Sequence, residues 1–143
     1  MKPIAIVLVA AVCGAGPLEK RIVYNDPASY QRLSAVHQGA GEIKFRGLLD
    51  SSVLTTNFLF LHAGVILPKG GIGHHFHHEM EEMYVILEGE AEFTINGRTS
   101  RLKGPVAVPC KIGSVSRHLQ SGRQTDPLVE LRGQCQEGQG GLF

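Results

Sequence analysis

Between residues 39 and 113 apolar positions come in short bursts separated by turn residues, at a spacing that suits strands rather than helices. Ile43, Phe45 and Leu48 alternate with polar neighbours across 39–50, as in a half-buried strand. Residues 57–67 are apolar almost throughout, and Phe58, Phe60 and Val65 suit a buried strand better than a helix interrupted by Gly64. A loop is expected over 68–73. Met83 to Leu87 is apolar on both faces, so its outer side needs a cover, either another sheet or a second subunit. Ala91, Phe93 and Ile95 alternate with Glu92 and Thr94 up to Asn96-Gly97, a dipeptide that accepts positive φ at both centres of a type I′ turn. A return strand from Arg98 to Leu102 and an apolar run from Val106 to Pro109 follow. Many short antiparallel strands that hide their edges predict an all-β jelly-roll barrel over 21–113.

The two ends read differently. Lys2, the apolar run Ile4 to Val12 and the small residues after Cys13 have the order of a secretion signal, although an N-terminal arm fits 1–20 equally well. The location expected is therefore cytoplasmic, or periplasmic or secreted if that segment is a signal. Its apolar run is too short to span a bilayer, so no membrane partner is expected. From Arg21 to Gln38 an irregular arm with one short strand is expected. After Gly113 the apolar alternation stops and Gln, Gly and Arg take over, so 114–143 is expected to be an irregular tail with at most one short strand near Leu128 to Leu131. The barrel should then be open on that side and incomplete at its C-terminal end, leaving apolar surface around Phe93 exposed or covered by a partner.

Composition narrows the function. The chain has 143 residues, a net charge of +1 and no Lys/Arg cluster, which excludes the electrostatic footprint of a nucleic-acid binder. Cys13, Cys110 and Cys135 are odd in number and lack metal-type spacing, so no disulfide framework is expected, and Cys110 reads as a small buried filler.

The candidate chemistry lies in Gly73 to Gly89. On an extended strand His75 and His77 put both imidazoles on one side, while His74 and His78 point to the other, towards outer-shell or surface roles. Glu82 opens the next segment, and an antiparallel neighbour would bring its carboxylate against the pair; Glu81 takes that place if the turn is one residue tighter. Glu79 and Glu81 otherwise read as solvated. Tyr84 shares the face of Glu82 and either lines the pocket or fills the core. His37 and His62 have no partner spacing and read as core or surface residues.

His-x-His, four residues, Glu, six residues, Gly, at His75, His77, Glu82 and Gly89, resembles the first motif of the cupin superfamily, in which two His and a Glu bind a divalent metal inside a small β-barrel. One departure is Lys69, where the motif opens with Gly. The wider run from Leu54 to Cys110 is similar to a bacterial single-domain group whose members mostly lack an assigned activity. The resemblance implies a divalent transition metal, Fe, Mn, Ni, Cu or Zn, with dioxygenase, decarboxylase, isomerase or lyase chemistry on a small oxygenated substrate. It also implies a small-molecule partner and a homodimer. A non-catalytic binding or sensor protein is the alternative. The family's second motif should add a third His and then an Asn. Here Gly104, Pro109 and Gly113 remain, but His118 stands four residues beyond Gly113 and no Asn follows. His118 is the only downstream His and is carried as the fourth ligand. An out-of-frame reading of the tail would account for the damage: with permitted codons, a shift of one base gives a His at about the place of Ser116 and an Asn after three further residues.

Overall fold

The computed structural model describes residues 22–120 and 126–133, the last eight by backbone alone. The segment 1–20, two of the three cysteines and the residues beyond 133 lie outside these ranges. Ten strands form: β1 (Gln31–Ser34), β2 (Glu42–Asp50), β3 (Phe58–Ile66), β4 (Gly71–Phe76), β5 (Glu81–Ile86), β6 (Glu90–Ile95), β7 (Arg98–Lys103), β8 (Val106–Cys110), β9 (Val115–Leu119) and β10 (Asp126–Gly133). Among the described residues there is no α-helix, only two short 3-10 turns at Pro27–Ser29 and Val36–Gln38.

The strands make two antiparallel sheets, β1-β2-β3-β10-β5-β8 and β4-β9-β6-β7. From β3 onward the order is that of two interlocked Greek keys, the jelly-roll arrangement the apolar pattern predicts. The expected hairpin joins β6 to β7 across Asn96 (φ 48°) and Gly97 (φ 76°). The β3–β4 connection is shorter than expected, because Gly71 to Gly73 already belong to β4. The inner faces of both sheets meet in one core of Ile43, Ile66, Tyr84, Ile86, Val108 and Cys110 on one side and Ile72, Ala91 and Phe93 on the other. Tyr84 and Phe93 touch edge to face across the gap at 5.1 Å.

The tail departs from its expected irregularity. β9 lies between β4 and β6, and β10 between β3 and β5, so the last two strands are central in their sheets. β9 shows no apolar alternation because the inward positions along it and at its two ends are polar: Ser114, Ser116, His118 and Gln120 are all buried, while Val115, Arg117 and Leu119 alternate with them. Backbone hydrogen bonds to a neighbour on each side hold such a strand without an apolar stripe. The barrel is therefore not open there, and Phe93 is 3% exposed, its ring 4.3 Å from that of His118. Phe93→Ala is expected to cost about 3–5 kcal/mol of stability. Urea unfolding read against far-UV dichroism checks this, and a loss below about 1 kcal/mol would show that the core collapses around the gap.

Candidate metal centre

Three ligating side chains converge at one end of the inter-sheet space. His75 sits near the end of β4 and His77 just after it, where His77 N–H donates to the Ser114 carbonyl (2.9 Å) and Gly113 N–H to the His77 carbonyl (2.8 Å). These bonds carry the β4–β9 pairing past the strand end and keep both imidazoles on the inner face. Glu82, the second residue of β5, is buried whereas Glu81 is exposed, so the turn has the longer of the two lengths considered. Glu82 does not arrive on a neighbouring strand as expected. β5 belongs to the opposite sheet, and the carboxylate reaches the His pair across the barrel interior.

The ligand atoms of His75, His77 and Glu82 lie within 4.8 Å of one another. Glu82 Oε2 is 3.2 Å from His75 Nε2 and 3.7 Å from His77 Nε2. His75 Nδ1 lies 3.0 Å from the Gly73 carbonyl, which can only accept, so this nitrogen carries the proton. In the neutral ring Nε2 then presents a lone pair, and that lone pair faces a carboxylate oxygen. Two acceptors at such a distance repel unless a proton or a cation stands between them. The donor set thus fits a divalent metal: two imidazole nitrogens and one buried carboxylate oxygen, aimed at a common point.

Ser116 completes the wall. It pairs with His75 across β4 and β9, is fully buried, and its Oγ lies 2.8 Å from His77 Nε2 and 3.4 Å from His75 Nε2. His118 is one inward position further along β9 and outside the ligand group. The structure thus places the serine, not the histidine expected as fourth ligand, beside His75 and His77. The reason is register: β9 sets Ser116 opposite His75, and sets His118 opposite Ile72 on one side and Phe93 on the other, towards the apolar core. His118 packs instead against Phe93 and Tyr84, and neither ring nitrogen has a hydrogen-bond partner among the described residues. Burial pushes its pKa down to about 3 from the ordinary 6.5.

Tyr84 is both core and site: its ring fills the centre while its hydroxyl reaches within 3.4 Å of His75 Nε2. His74 and His78 are exposed, and His62 stacks on Phe60 at 4.2 Å away from the centre. His37 was not legible as a site residue. Its ring stacks on His75 at 4.3 Å and 13°, brought there by the turn between β1 and β2. A cleft of about 710 Å³ opens between the edge strands β7 and β8; Phe93, Ile95, Leu102, Val106 and Val108 line it, with exposed Arg98 contributing a charge.

Neither a scan of protein-family models nor a search of curated proteins finds a match to the sequence. Solved structures do match. A predicted oxalate decarboxylase from Thermotoga maritima superposes with a TM-score of 0.74 at 21% identity, over 80% of this chain and 99% of that one. The polyketide cyclase RemF from Streptomyces resistomycificus gives 0.60 at 22%, over 80% of each chain. A Cupin 2 conserved barrel domain protein from Salinispora arenicola gives 0.56 at 16%, over 85% of this chain and 88% of that one. At these identities the likeness is one of fold. The chain has a cupin-type β-barrel, and its His75-His77-Glu82 group fits the cupin metal motif.

The buried His118 makes a prediction about acid stability. Its folded-state pKa of about 3 lies below the unfolded value near 6.5, so the unfolded chain binds the extra proton first. Above pH 6.5 both states are neutral there and nothing is lost. As pH falls from 6.5 towards 3 this group removes up to about 1.4 kcal/mol of stability per pH unit. His118→Leu should flatten the fall in unfolding free energy over that window, measured by urea titrations from pH 7 to 4. An unchanged slope would mean that the folded protein protonates His118 readily.

Proposed function

We propose that this protein is a metal-dependent enzyme that acts on a small oxygenated molecule. The observation that carries the reading is the gathering of the His75, His77 and Glu82 ligand atoms within 4.8 Å of one another, with a hydroxyl rather than a fourth strong ligand beside them. Three protein ligands leave coordination positions free for a substrate oxygen or water. Raw affinity would not select among Fe, Mn, Ni, Cu and Zn at such a site.

A divalent metal bound there would supply a Lewis acid, polarising a substrate oxygen or acidifying bound water. His75 and His77 hold it, and the Glu82 carboxylate offsets part of its charge from the opposite sheet. Tyr84 can turn its hydroxyl from His75 Nε2 towards a substrate oxygen and fix its orientation. Phe93, Ile72 and the ring of His118 make the adjoining interior dry, which strengthens each of these polar contacts. Decarboxylase, dioxygenase, isomerase and lyase chemistry all use such a centre. The names of the decarboxylase and the cyclase among the structural relatives agree with that breadth.

Ser116 favours a second reading. If its hydroxyl fills the fourth position, the metal is closed to substrate and structural, as suits a protein that binds and senses a small ligand without turning it over. A cobalt-loaded sample whose visible spectrum shifts on adding small carboxylic acids supports open coordination and the enzyme; an inert spectrum supports the binder. As partners we propose a small-molecule substrate and, over the exposed Met83 and Leu87 on the outer side of β5, a second copy of the chain.

Two substitutions measure the centre from opposite sides. Glu82→Gln keeps the shape and removes the charge, and should weaken zinc binding at least about tenfold, or about 1.4 kcal/mol. Ser116→His adds an imidazole opposite His75 and should tighten binding by a similar factor. Both are read by competition with a chromogenic chelator. If Glu82→Gln leaves affinity unchanged while Glu81→Gln lowers it, the carboxylate assignment is wrong. The paired change of His75 and His77 to Ala should abolish stoichiometric metal.

A further inference from the structure

The turn that carries His37 is built at a backbone cost. Ala35, His37 and Gln38 all adopt positive φ (52°, 48° and 60°), a region that residues with a Cβ enter rarely, and three within four positions need a reason. The turn is also seated with little clearance. A Cβ on Gly39 would come within 2.5 Å of the Gly71 carbonyl oxygen and 2.6 Å of Gly73 N, and one on Gly73 would run into the His37 carbonyl. Backbone bonds from Ala35 N–H to Gly41 O (3.2 Å) and Gln38 N–H to Ala35 O (2.9 Å) close the turn, and one from Gly71 N–H to Ala40 O (2.9 Å) ties it to β4. Two glycines and three left-handed residues thus place one exposed imidazole flat against His75.

His75 is the ligand whose orientation is least secured by burial, since 12% of its side chain is exposed against 2% for His77 and none for Glu82. Its edge is held by the bond from Nδ1–H to Gly73 O, and Gly73 is also the residue against which the His37 carbonyl packs. Its face is held by the His37 ring at 4.3 Å and 13°. An imidazole clamped at edge and face keeps the proton on Nδ1 and points Nε2 at Glu82 and Ser116. Without the stack the ring can flip about χ2, which exchanges the two nitrogens and spoils the ligand set.

We infer that His37 is a positioning residue for the metal centre: it acts through its ring, by stacking on His75 and fixing that ligand's orientation and tautomer, and does not itself ligate. The inference rests on the proposed metal reading for its function, but its geometry can be tested without metal.

The ring must be removed without disturbing the turn, so His37→Asn is the informative variant, because Asn tolerates the left-handed conformation. His37→Phe keeps a stacking ring and removes both nitrogens. In metal-free protein, long-range nitrogen–proton NMR should show His75 as a single Nδ1–H tautomer in the wild type and in His37→Phe, and as a mixture in His37→Asn. Zinc affinity should fall about tenfold in His37→Asn and stay within about twofold of wild type in His37→Phe. A single tautomer and full affinity in His37→Asn would overturn the inference. Loss of affinity in His37→Phe equal to that in His37→Asn, with the single His75 tautomer retained, would also overturn it, by showing that a His37 nitrogen and not the stacked ring is what matters. A wild type that binds no zinc but shows the tautomer change would sink the metal reading while leaving the positioning role intact.

Discussion

The insertion of β9 between β4 and β6 is the constraint on which the candidate centre depends. β4 contributes His75 and its continuation contributes His77, and as the edge strand of its sheet β4 takes its strand pairing from β9. Pairing with β9 fixes the register, with Ser116 opposite His75 and His118 opposite Ile72. That register decides which residue faces the ligand group and which falls outside it. The β9–β6 pairs, Phe93 with His118 and Ile95 with Ser116, then tie the same strand to the core. One antiparallel ladder thus sets the chemistry of the centre and the packing beneath it.

The interior that results is polar at one end and apolar at the other. His75, His77, Glu82, Ser116 and the hydroxyl of Tyr84 gather at the polar end; Ile66, Ile86, Ala91 and Phe93 fill the rest. Burying this many polar groups costs free energy, which the well-packed apolar end offsets. Two imidazoles and a buried carboxylate gathered within 4.8 Å are the donor set expected of a divalent cation. Tyr84 joins the two ends, its ring against Phe93 and its hydroxyl at the site.

Much of this was legible in the sequence. Period-two alternation located β2 and β6, Asn96-Gly97 marked the hairpin, and the His-x-His spacing with Glu82 named the ligand group. Three features were not legible, each for a physical reason. β9 buries Ser114, Ser116, His118 and Gln120, so an apolar search reads it as a tail although the backbone pairs on both sides. The direction from which Glu82 arrives depends on which sheet β5 joins, and local spacing carries no such information. His37 reaches the centre by a turn with three left-handed residues, seated against Gly39 and Gly73; glycine spacing hints at close approach, but only the fold shows to what.

X-ray absorption of the zinc-loaded protein tests the central claim most directly, because imidazole rings give a multiple-scattering signal that can be counted. A centre built from His75, His77 and Glu82 with Ser116 beside it predicts two imidazoles and oxygen donors at about 2.0–2.2 Å. Three imidazoles would show that His118 or His37 ligates after all. None would remove the metal centre from the account.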